Sequence, residues 1–280
     1  MAKPGKAMIT GASSGIGAAY ANRLARRGYD LILVARSEQG LKAVAKQVIA
    51  ESGVDVDVLK ADLTSRPEVR PVEQRLRSDA SITLLINNAG IGTPKPVLAE
   101  NIDWLEEVIE LNVIAVHRLA IAAAQTFGAR GNGGIINVSS IAALHPEQVN
   151  ATYTATKAFV LNLTQALDAE AAPRGVKLQV VLPGATRTQF FSRFGVSVDA
   201  RFSSDKIMEA TDLVDAALAG FDQGELVTIP SLPDQRDWDN FVAARLALGP
   251  YLSRSKPAAR YGLQETDDAS SRCVDESTRS

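Results

Sequence analysis

The sequence predicts an α/β fold with a doubly wound parallel sheet that is flanked by helices. Short runs rich in β-branched residues alternate with amphipathic stretches along most of the 280 residues. This order is typical of parallel sheets with helical crossovers. Several runs are almost continuously apolar, as strands covered on both faces must be. We predict strands at Ala7–Thr10, Leu31–Ala35, Val54–Lys60, Ile82–Ile86, Gly134–Val138, Lys177–Leu182 and Leu226–Ile229.

The stretches between these runs have apolar residues at helical spacing. Proline at the beginning of one of them, Pro67, fits a first helical turn, because no backbone donor is needed there. Pro183-Gly184 ends the strand before it. We predict helices at Ile16–Arg27, Gln39–Glu51, Pro67–Ser78 and Ile102–Phe127, and another that begins near Tyr153.

The composition is that of a globular protein with a sizeable core. Hydrophobic residues make up 46% of the chain and charged residues 22%. No repeat or linker divides the sequence, so we predict a single domain over residues 1–262. The polar residues 263–280, rich in Ser, Thr and Asp, are predicted to form a disordered tail. A net charge of −2 without a basic stripe argues against nucleic-acid or membrane partners.

Several features favour a cytoplasmic location. The sequence shows no apolar run long enough for a signal peptide or a membrane span. The one cysteine, Cys273, cannot form an internal disulfide, which suits a reducing compartment. Neither His117 nor His145 has metal-ligand spacing with other residues, so no metal is expected.

A glycine-rich loop follows the first predicted strand and opens the first predicted helix. In "TGASSGIG" the glycines are Gly11, Gly15 and Gly17. A tight turn of this kind lets backbone N–H groups and the helix N-terminus approach a pyrophosphate. The spacing differs from the common G-x-G-x-x-G, and a glycine turn without a ligand is the alternative interpretation.

The end of the second predicted strand indicates which dinucleotide binds. An acidic residue there would bind the ribose hydroxyl of NAD, whereas arginine would accept the 2′-phosphate of NADP. This chain has Ala35 followed by Arg36, and Asp30 lies at the opposite end of the strand. Because a guanidinium matches a phosphate in a bidentate way, the sequence favours NADP(H) over NAD(H). A plain surface charge is the other explanation of Arg36.

Six segments in a fixed order carry a family resemblance. They are "TGASSGIG", "LLINNAG" (84–90), "LNV" (111–113), "IINVSS" (135–140), "YTATK" (153–157) and "LPGATRT" (182–188). Over about residues 5–190 the chain therefore resembles the short-chain dehydrogenase/reductase family. The resemblance implies a Rossmann-type domain that transfers a hydride between a nicotinamide and a carbonyl or alcohol substrate.

The resemblance also implies site residues. Tyr153 is the catalytic acid/base, Lys157 its partner, and Asn112 part of a water-linked proton relay. Ser140 is preferred to Ser139 because it lies thirteen positions before Tyr153. The resemblance places Asp62 at the adenine, residues 88–90 at the adenosine ribose and the loop after Pro183 at the nicotinamide. The complete set of implied cofactor contacts is Gly11, Ser13, Ser14, Gly15, Ile16, Gly17, Arg36, Asp62, Leu63, Asn88, Ala89, Gly90, Tyr153, Lys157, Pro183, Gly184, Thr186 and Thr188.

The residue types make chemical sense. A free tyrosine has a pKa near 10, and a cation one helical turn away should lower the pKa of Tyr153. Ser140 would hydrogen-bond the substrate oxygen as charge develops. The alternative interpretation of Tyr153 and Lys157 is a solvated helix face, as for most Tyr-x-x-x-Lys pairs.

The substrate is less well defined by the sequence. Residues 189–210 contain Phe190, Phe191, Phe194 and Phe202, which favours a mobile apolar lid and an apolar substrate, although packing on the sheet explains them equally well. Alternatives to an NADP(H) enzyme are an NAD-linked alcohol dehydrogenase of the same fold and a non-catalytic dinucleotide-binding sensor. We also expect a homodimer or homotetramer formed through the helix after Tyr153.

Overall fold

The computed structural model describes residues 3–93, 95–147, 149–192, 195 and 197–263. The strands are β1 (Lys6–Thr10), β2 (Asp30–Ala35), β3 (Val56–Lys60), β4 (Ile82–Asn87), β5 (Gly133–Val138), β6 (Val176–Val181), β7 (Thr186–Arg187), β8 (Met208–Glu209) and β9 (Val227–Thr228). Seven of them form a parallel sheet in the order β3-β2-β1-β4-β5-β6-β9. The short strands β7 and β8 pair separately.

Helices lie between the strands along the chain, and one more follows the last strand. They are α1 (Gly15–Arg26), α2 (Glu38–Ser52), α3 (Arg66–Ser78), α4 (Ile102–Ile109), α5 (Val116–Arg130), α6 (Ala151–Ala171), α7 (Gln189–Ser192), α8 (Val198–Arg201), α9 (Ala210–Gln223) and α10 (Gln235–Ala247). The predicted doubly wound α/β class is confirmed. Within the described part of the chain, no helix has both the length and the apolar character needed to span a membrane.

The core has two apolar layers, one on each face of the sheet. Neighbouring residues of β1 point to opposite faces. Ile9 packs in a cluster that contains Tyr20 of α1 and Leu213 of α9. Met8 packs in the other cluster, with Phe127 of α5. Burial on both faces explains why the strands are almost continuously apolar.

The helix predicted over Ile102–Phe127 is interrupted in the structure. A π-helical turn, Glu110–Ala115, separates α4 from α5. The buried Asn112 lies in this turn and binds backbone groups of a neighbouring loop. Such insertions are common at functional sites, because they redirect side chains without ending the helix.

The chain divides into two compact units, Met1–Ser231 and Leu232–Ser280. The first unit contains the whole sheet and helices α1 to α9, and the second contains α10. The second unit thus begins before residue 262, where we placed the end of the domain, and that limit stays a prediction. Residues 264–280, which hold Cys273 and nearly all of the predicted disordered tail, lie outside the described residues.

Candidate active site

One cavity of about 560 Å³ collects the loops that follow the parallel strands. It lies where the strand order reverses between β1 and β4, the position at which such sheets bind ligands. Of the predicted catalytic and cofactor residues, all line this cavity except Gly17 and Asn112. The structure therefore brings together residues from seven separate segments of the chain, and the two exceptions lie behind the cavity wall.

The glycine loop is built around close backbone contacts. Gly11 has a φ of +67°, a conformation that side chains disfavour. A Cβ on Gly17 would overlap the carbonyl oxygen of Gly11, so Gly17 supports the loop from beneath. Asn88 donates from Nδ2 to the Thr10 carbonyl oxygen at 2.9 Å and ties the loop to the segment after β4. The result is a glycine cradle at the N-terminus of α1, which fits a pyrophosphate.

Thr10 organises the neighbouring turn, and the sequence analysis did not single it out. Its buried Oγ1 accepts hydrogen bonds from the backbone N–H groups of Asn88 and Ala89, both at 3.0 Å. The same hydroxyl lies 3.3 Å from the Ile86 carbonyl oxygen, to which it donates. Thr10 therefore fixes the 88–90 turn beside the glycine loop.

Arg36 lies at the end of β2 on the cavity wall. Its side chain is 51% exposed, and its Nη1 is 3.8 Å from a carboxylate oxygen of Asp62. An ion pair so long and so exposed to solvent contributes little, so the guanidinium is accessible to a bound anion. Asp62 accepts through its Oδ1 from both the backbone N–H and the hydroxyl of Thr64, which holds its side chain at the cavity edge.

Tyr153, Lys157 and the serine pair meet at the other end of the cavity. Lys157 Nζ lies 5.8 Å from the centroid of the Tyr153 ring and donates to the Val138 carbonyl oxygen at 3.1 Å. Ser140 hydrogen-bonds with Tyr153. Ser139 instead donates to the Lys157 carbonyl oxygen at 2.7 Å and is buried. The two adjacent serines thus face different partners.

Burial sets the pKa values of this pair. It raises the pKa of Tyr153 to about 12, while the hydrogen bond with Ser140 acts in the opposite direction with less effect. Burial also lowers the pKa of Lys157 to about 8. The lowered pKa that the sequence analysis expected for Tyr153 is therefore wrong for the protein without a ligand. The physical reason is that removal from bulk water penalises the charged form of both groups.

Asn112 acts as a clamp in this structure. Its Oδ1 accepts from the Ile91 backbone N–H at 3.0 Å, and its Nδ2 donates to the Ile91 carbonyl oxygen at 2.9 Å. Nδ2 also lies 3.2 Å from the Thr156 hydroxyl oxygen. The side chain is fully buried and occupied by these partners. It therefore fixes the loop after β4 against α6 from behind the cavity.

Comparison with known proteins agrees with this geometry. The family model described as short chain dehydrogenase matches residues 6–196, more than half of the chain. The protein belongs to the short-chain dehydrogenase family. The matched region contains β1 to β6, the glycine loop and the Tyr153–Lys157 pair. The family resemblance drawn from the six sequence segments is thereby confirmed.

Solved structures of two bacterial enzymes are similar over nearly the whole chain. A short-chain dehydrogenase from Sphingobium yanoikuyae in complex with NADPH is 46% identical, covers 92% of this chain and 100% of its own, and has a TM-score of 0.88. The bulky-bulky ketone specific alcohol dehydrogenase from Comamonas testosteroni is 42% identical, with coverages of 93% and 99% and a TM-score of 0.85. An uncharacterized oxidoreductase of Staphylococcus epidermidis is 29% identical over 224 residues, which are 80% of this chain and 93% of the relative.

Other residues of this short-chain dehydrogenase line the cavity without having been assigned from the sequence. Most of them are apolar and come from the loops after β4 and β5: Ile91, Gly92, Ile141, Ala142, His145 and Val149. These positions form no motif in the sequence, and only the fold brings them together. Ser37, beside Arg36, also belongs to the wall.

The predicted lid is partly within the described chain. Phe190 and Phe202 line the cavity, whereas the side chains of Phe191 and Phe194 lie outside the described residues. The mobility of this segment stays a prediction. His145 lines the same cavity, and His117 packs against Phe159 with the ring centroids 6.2 Å apart. Among the described residues no group of three or more His, Cys, Asp or Glu could hold a metal ion.

Proposed function

We propose that this short-chain dehydrogenase transfers a hydride between NADP(H) and a ketone or secondary alcohol with apolar substituents. One observation carries the proposal. A single cavity joins the glycine cradle and Arg36 at one end to Tyr153 and Ser140 at the other. A dinucleotide has phosphates at its centre and a nicotinamide at one end, and this arrangement of the cavity suits both.

NADP(H) is the cofactor that fits these residues. Arg36 would take the 2′-phosphate, and the cradle around Gly11 with the N-terminus of α1 would take the pyrophosphate. Lys157, near Gly90 and the Val138 carbonyl oxygen, would bind a ribose hydroxyl. The NADPH complex of the Sphingobium relative supports this assignment. When bound, the nicotinamide supplies or accepts the hydride.

The protein's own groups handle the proton. The phenol of Tyr153, whose pKa burial raises to about 12, is protonated at neutral pH and would donate this proton to the carbonyl oxygen when the hydride reaches the carbonyl carbon. Ser140, in contact with the same phenol, would hydrogen-bond that oxygen. Lys157 would hold the ribose and favour the phenolate once Tyr153 has given up its proton. The family resemblance gives Asn112 a place in a water-linked proton relay, and its hydrogen bonds with Ile91 would hold the loop after β4 beside that relay.

Apolar residues in the cavity wall support an apolar substrate. Ile91, Ile141, Val149 and Phe190 line the cavity that contains the phenol, and Phe190 lies against Tyr153. Such a wall binds by burial of apolar surface, with orientation left to the few polar groups. The name of the Comamonas relative refers to ketones with two bulky groups. We therefore propose ketones with at least one large apolar substituent as the substrate class.

We further propose that the enzyme is a homo-oligomer, a dimer or a tetramer, formed through α6. Helix α6 leaves a row of residues exposed along one side, from Ala155 and Phe159 to Ala166. Phe159 is 37% exposed and is the largest apolar residue of this row. A second copy related by a two-fold axis would cover it. A cytoplasmic location stays a prediction.

The test is NADPH consumption with a panel of ketones. The wild-type enzyme should oxidise NADPH in the presence of apolar ketones, and Tyr153→Phe should lower the rate by at least about 10²-fold while NADPH still binds. A Tyr153→Phe enzyme with near-normal turnover would contradict the assignment. Preference for NADH would favour the NAD-linked alternative, and NADPH binding without turnover of any ketone would favour the non-catalytic sensor.

A further inference from the structure

Phe190 lies over the reactive end of the cavity. It belongs to the short helix α7, which follows the loop after β6. Its ring centroid is 6.0 Å from that of Tyr153, with the ring planes at 55°. This is the range of a favourable aromatic contact. The ring therefore lies against the phenol inside the cavity that both residues line.

Gly92 supports the other side of the same ring. A Cβ built on Gly92 would lie 2.5 Å from Cζ of Phe190, far inside a normal contact. The backbone of Gly92 is outside the left-handed region, so the close ring and not the backbone conformation disfavours a larger residue at this position. The Gly92 carbonyl oxygen accepts from the indole Nε1 of Trp104 at 3.2 Å, which fixes the backbone against which the ring rests.

Thr188 connects the position of Phe190 to the glycine loop. Its Oγ1 accepts from the Phe190 backbone N–H at 3.2 Å. The Cβ and Cγ2 atoms of Thr188 lie 3.1 Å from where a Cβ on Gly15 would be. The backbone of Phe190 is thus placed relative to the cofactor cradle, and its ring is placed by Gly92 and Tyr153.

We infer that Phe190 is the residue that decides the size of ketone this enzyme accepts. Its ring, between Gly92 and Tyr153, occupies the space that one substituent of the carbonyl carbon would enter when the oxygen reaches Tyr153 and Ser140. A small substituent fits below the ring and gains contact with it. A large one must displace the ring from Gly92. This inference rests on the proposed ketone reduction.

The test compares two ketones in four variants. One ketone has a methyl and a cyclohexyl group, and the other has two cyclohexyl groups. Phe190→Ala should raise the ratio of kcat/KM for the larger ketone to that for the smaller by about 10-fold or more, since one misfitted hydrocarbon group changes selectivity by this amount. Gly92→Ala should raise the same ratio, because its methyl group pushes the ring away. In the Phe190→Ala background, Gly92→Ala should have no further effect.

Phe241→Ala is the matched control, because Phe241 is a half-exposed phenylalanine that does not line the cavity and packs on Trp238, with 5.3 Å between the ring centroids. It should leave the ratio within about twofold of wild type. A ratio that Phe190→Ala does not change, or that Phe241→Ala changes equally, would overturn the inference. Additive effects of Gly92→Ala and Phe190→Ala would also overturn it.

Binding measurements separate this inference from the proposed reaction. Trp104 and Trp238 are the two tryptophans of the chain, so Trp238→Phe leaves only the indole that is bonded to Gly92. Each ketone is titrated in the presence of NADP⁺, which cannot reduce it, and Trp104 emission gives its Kd. Phe190→Ala should shift the ratio of the two Kd values by about 10-fold even if no turnover occurs. If no turnover occurs but the Kd ratio shifts, only the proposed function is refuted. If the Kd ratio is unchanged, the role of Phe190 is refuted.

Discussion

Lys157 should destabilise the folded protein at neutral pH. Its ammonium is buried in the cavity wall, and burial lowers its pKa from the ordinary value of 10.5 to about 8. Since each pKa unit corresponds to about 1.4 kcal/mol, protonated Lys157 should reduce the free energy of unfolding by about 3 kcal/mol. The proposed function explains why the enzyme tolerates this, because the ammonium is needed next to Tyr153.

The pH dependence follows from the direction of this pKa change. Below about pH 8 the folded and unfolded chains both carry the proton, so the whole penalty is present. Between about pH 8 and 10.5 only the unfolded chain keeps the proton, and stability therefore rises with pH. Tyr153 has the opposite effect, but only above about pH 10, where the unfolded chain loses a proton that the buried phenol retains.

Lys157→Met tests this reasoning, because it keeps most of the length and apolar character of the side chain without the charge. The variant loses the hydrogen bond to the Val138 carbonyl oxygen, worth about 1 kcal/mol. Urea unfolding at about pH 7 should therefore show the variant more stable by about 2 kcal/mol, and the difference should vanish near pH 9.5. Lys46→Met, at an exposed position of α2, should change stability by less than about 0.5 kcal/mol at both pH values. A Lys157→Met difference that is the same at both pH values would refute the reasoning.

Three further predictions concern the cofactor, the serines and assembly. NADPH should bind more tightly than NADH by roughly 1.5–3 kcal/mol, and Arg36→Asp should invert this preference in fluorescence titrations; equal wild-type affinities would contradict the role of Arg36. Ser140→Ala should lower kcat, whereas Ser139→Ala should mainly lower stability, by about 1 kcal/mol, because its hydroxyl binds the Lys157 carbonyl oxygen; equal losses of kcat would argue against Ser140. Phe159→Glu should convert the oligomer to a monomer in light scattering, while deletion of residues 263–280 should not; a wild-type monomer would refute assembly through α6.

The fold class was predictable from local patterns. The apolar periodicity of strands and helices depends on residues that are close in sequence. Each predicted strand was therefore found within about two residues of its observed limits. The helix over Ile102–Phe127 was less accurate, because it is interrupted at the turn where Asn112 binds Ile91, which is distant in sequence. Helices α9 and α10 carry no motif and were not predicted.

The sequence by itself determined which chemical groups are present: a glycine cradle after the first strand, an arginine after the second, and a tyrosine, a lysine and two serines at fixed spacings. These are local features that residue identity and order express directly. Only the tertiary structure decided what surrounds them. It withdrew the Tyr153 phenol and the Lys157 ammonium from bulk water, so that the pKa of the phenol is raised and the pKa of the ammonium is lowered. It also placed Phe190 against Gly92, because the loops after β4 and β6 meet only when the sheet has formed.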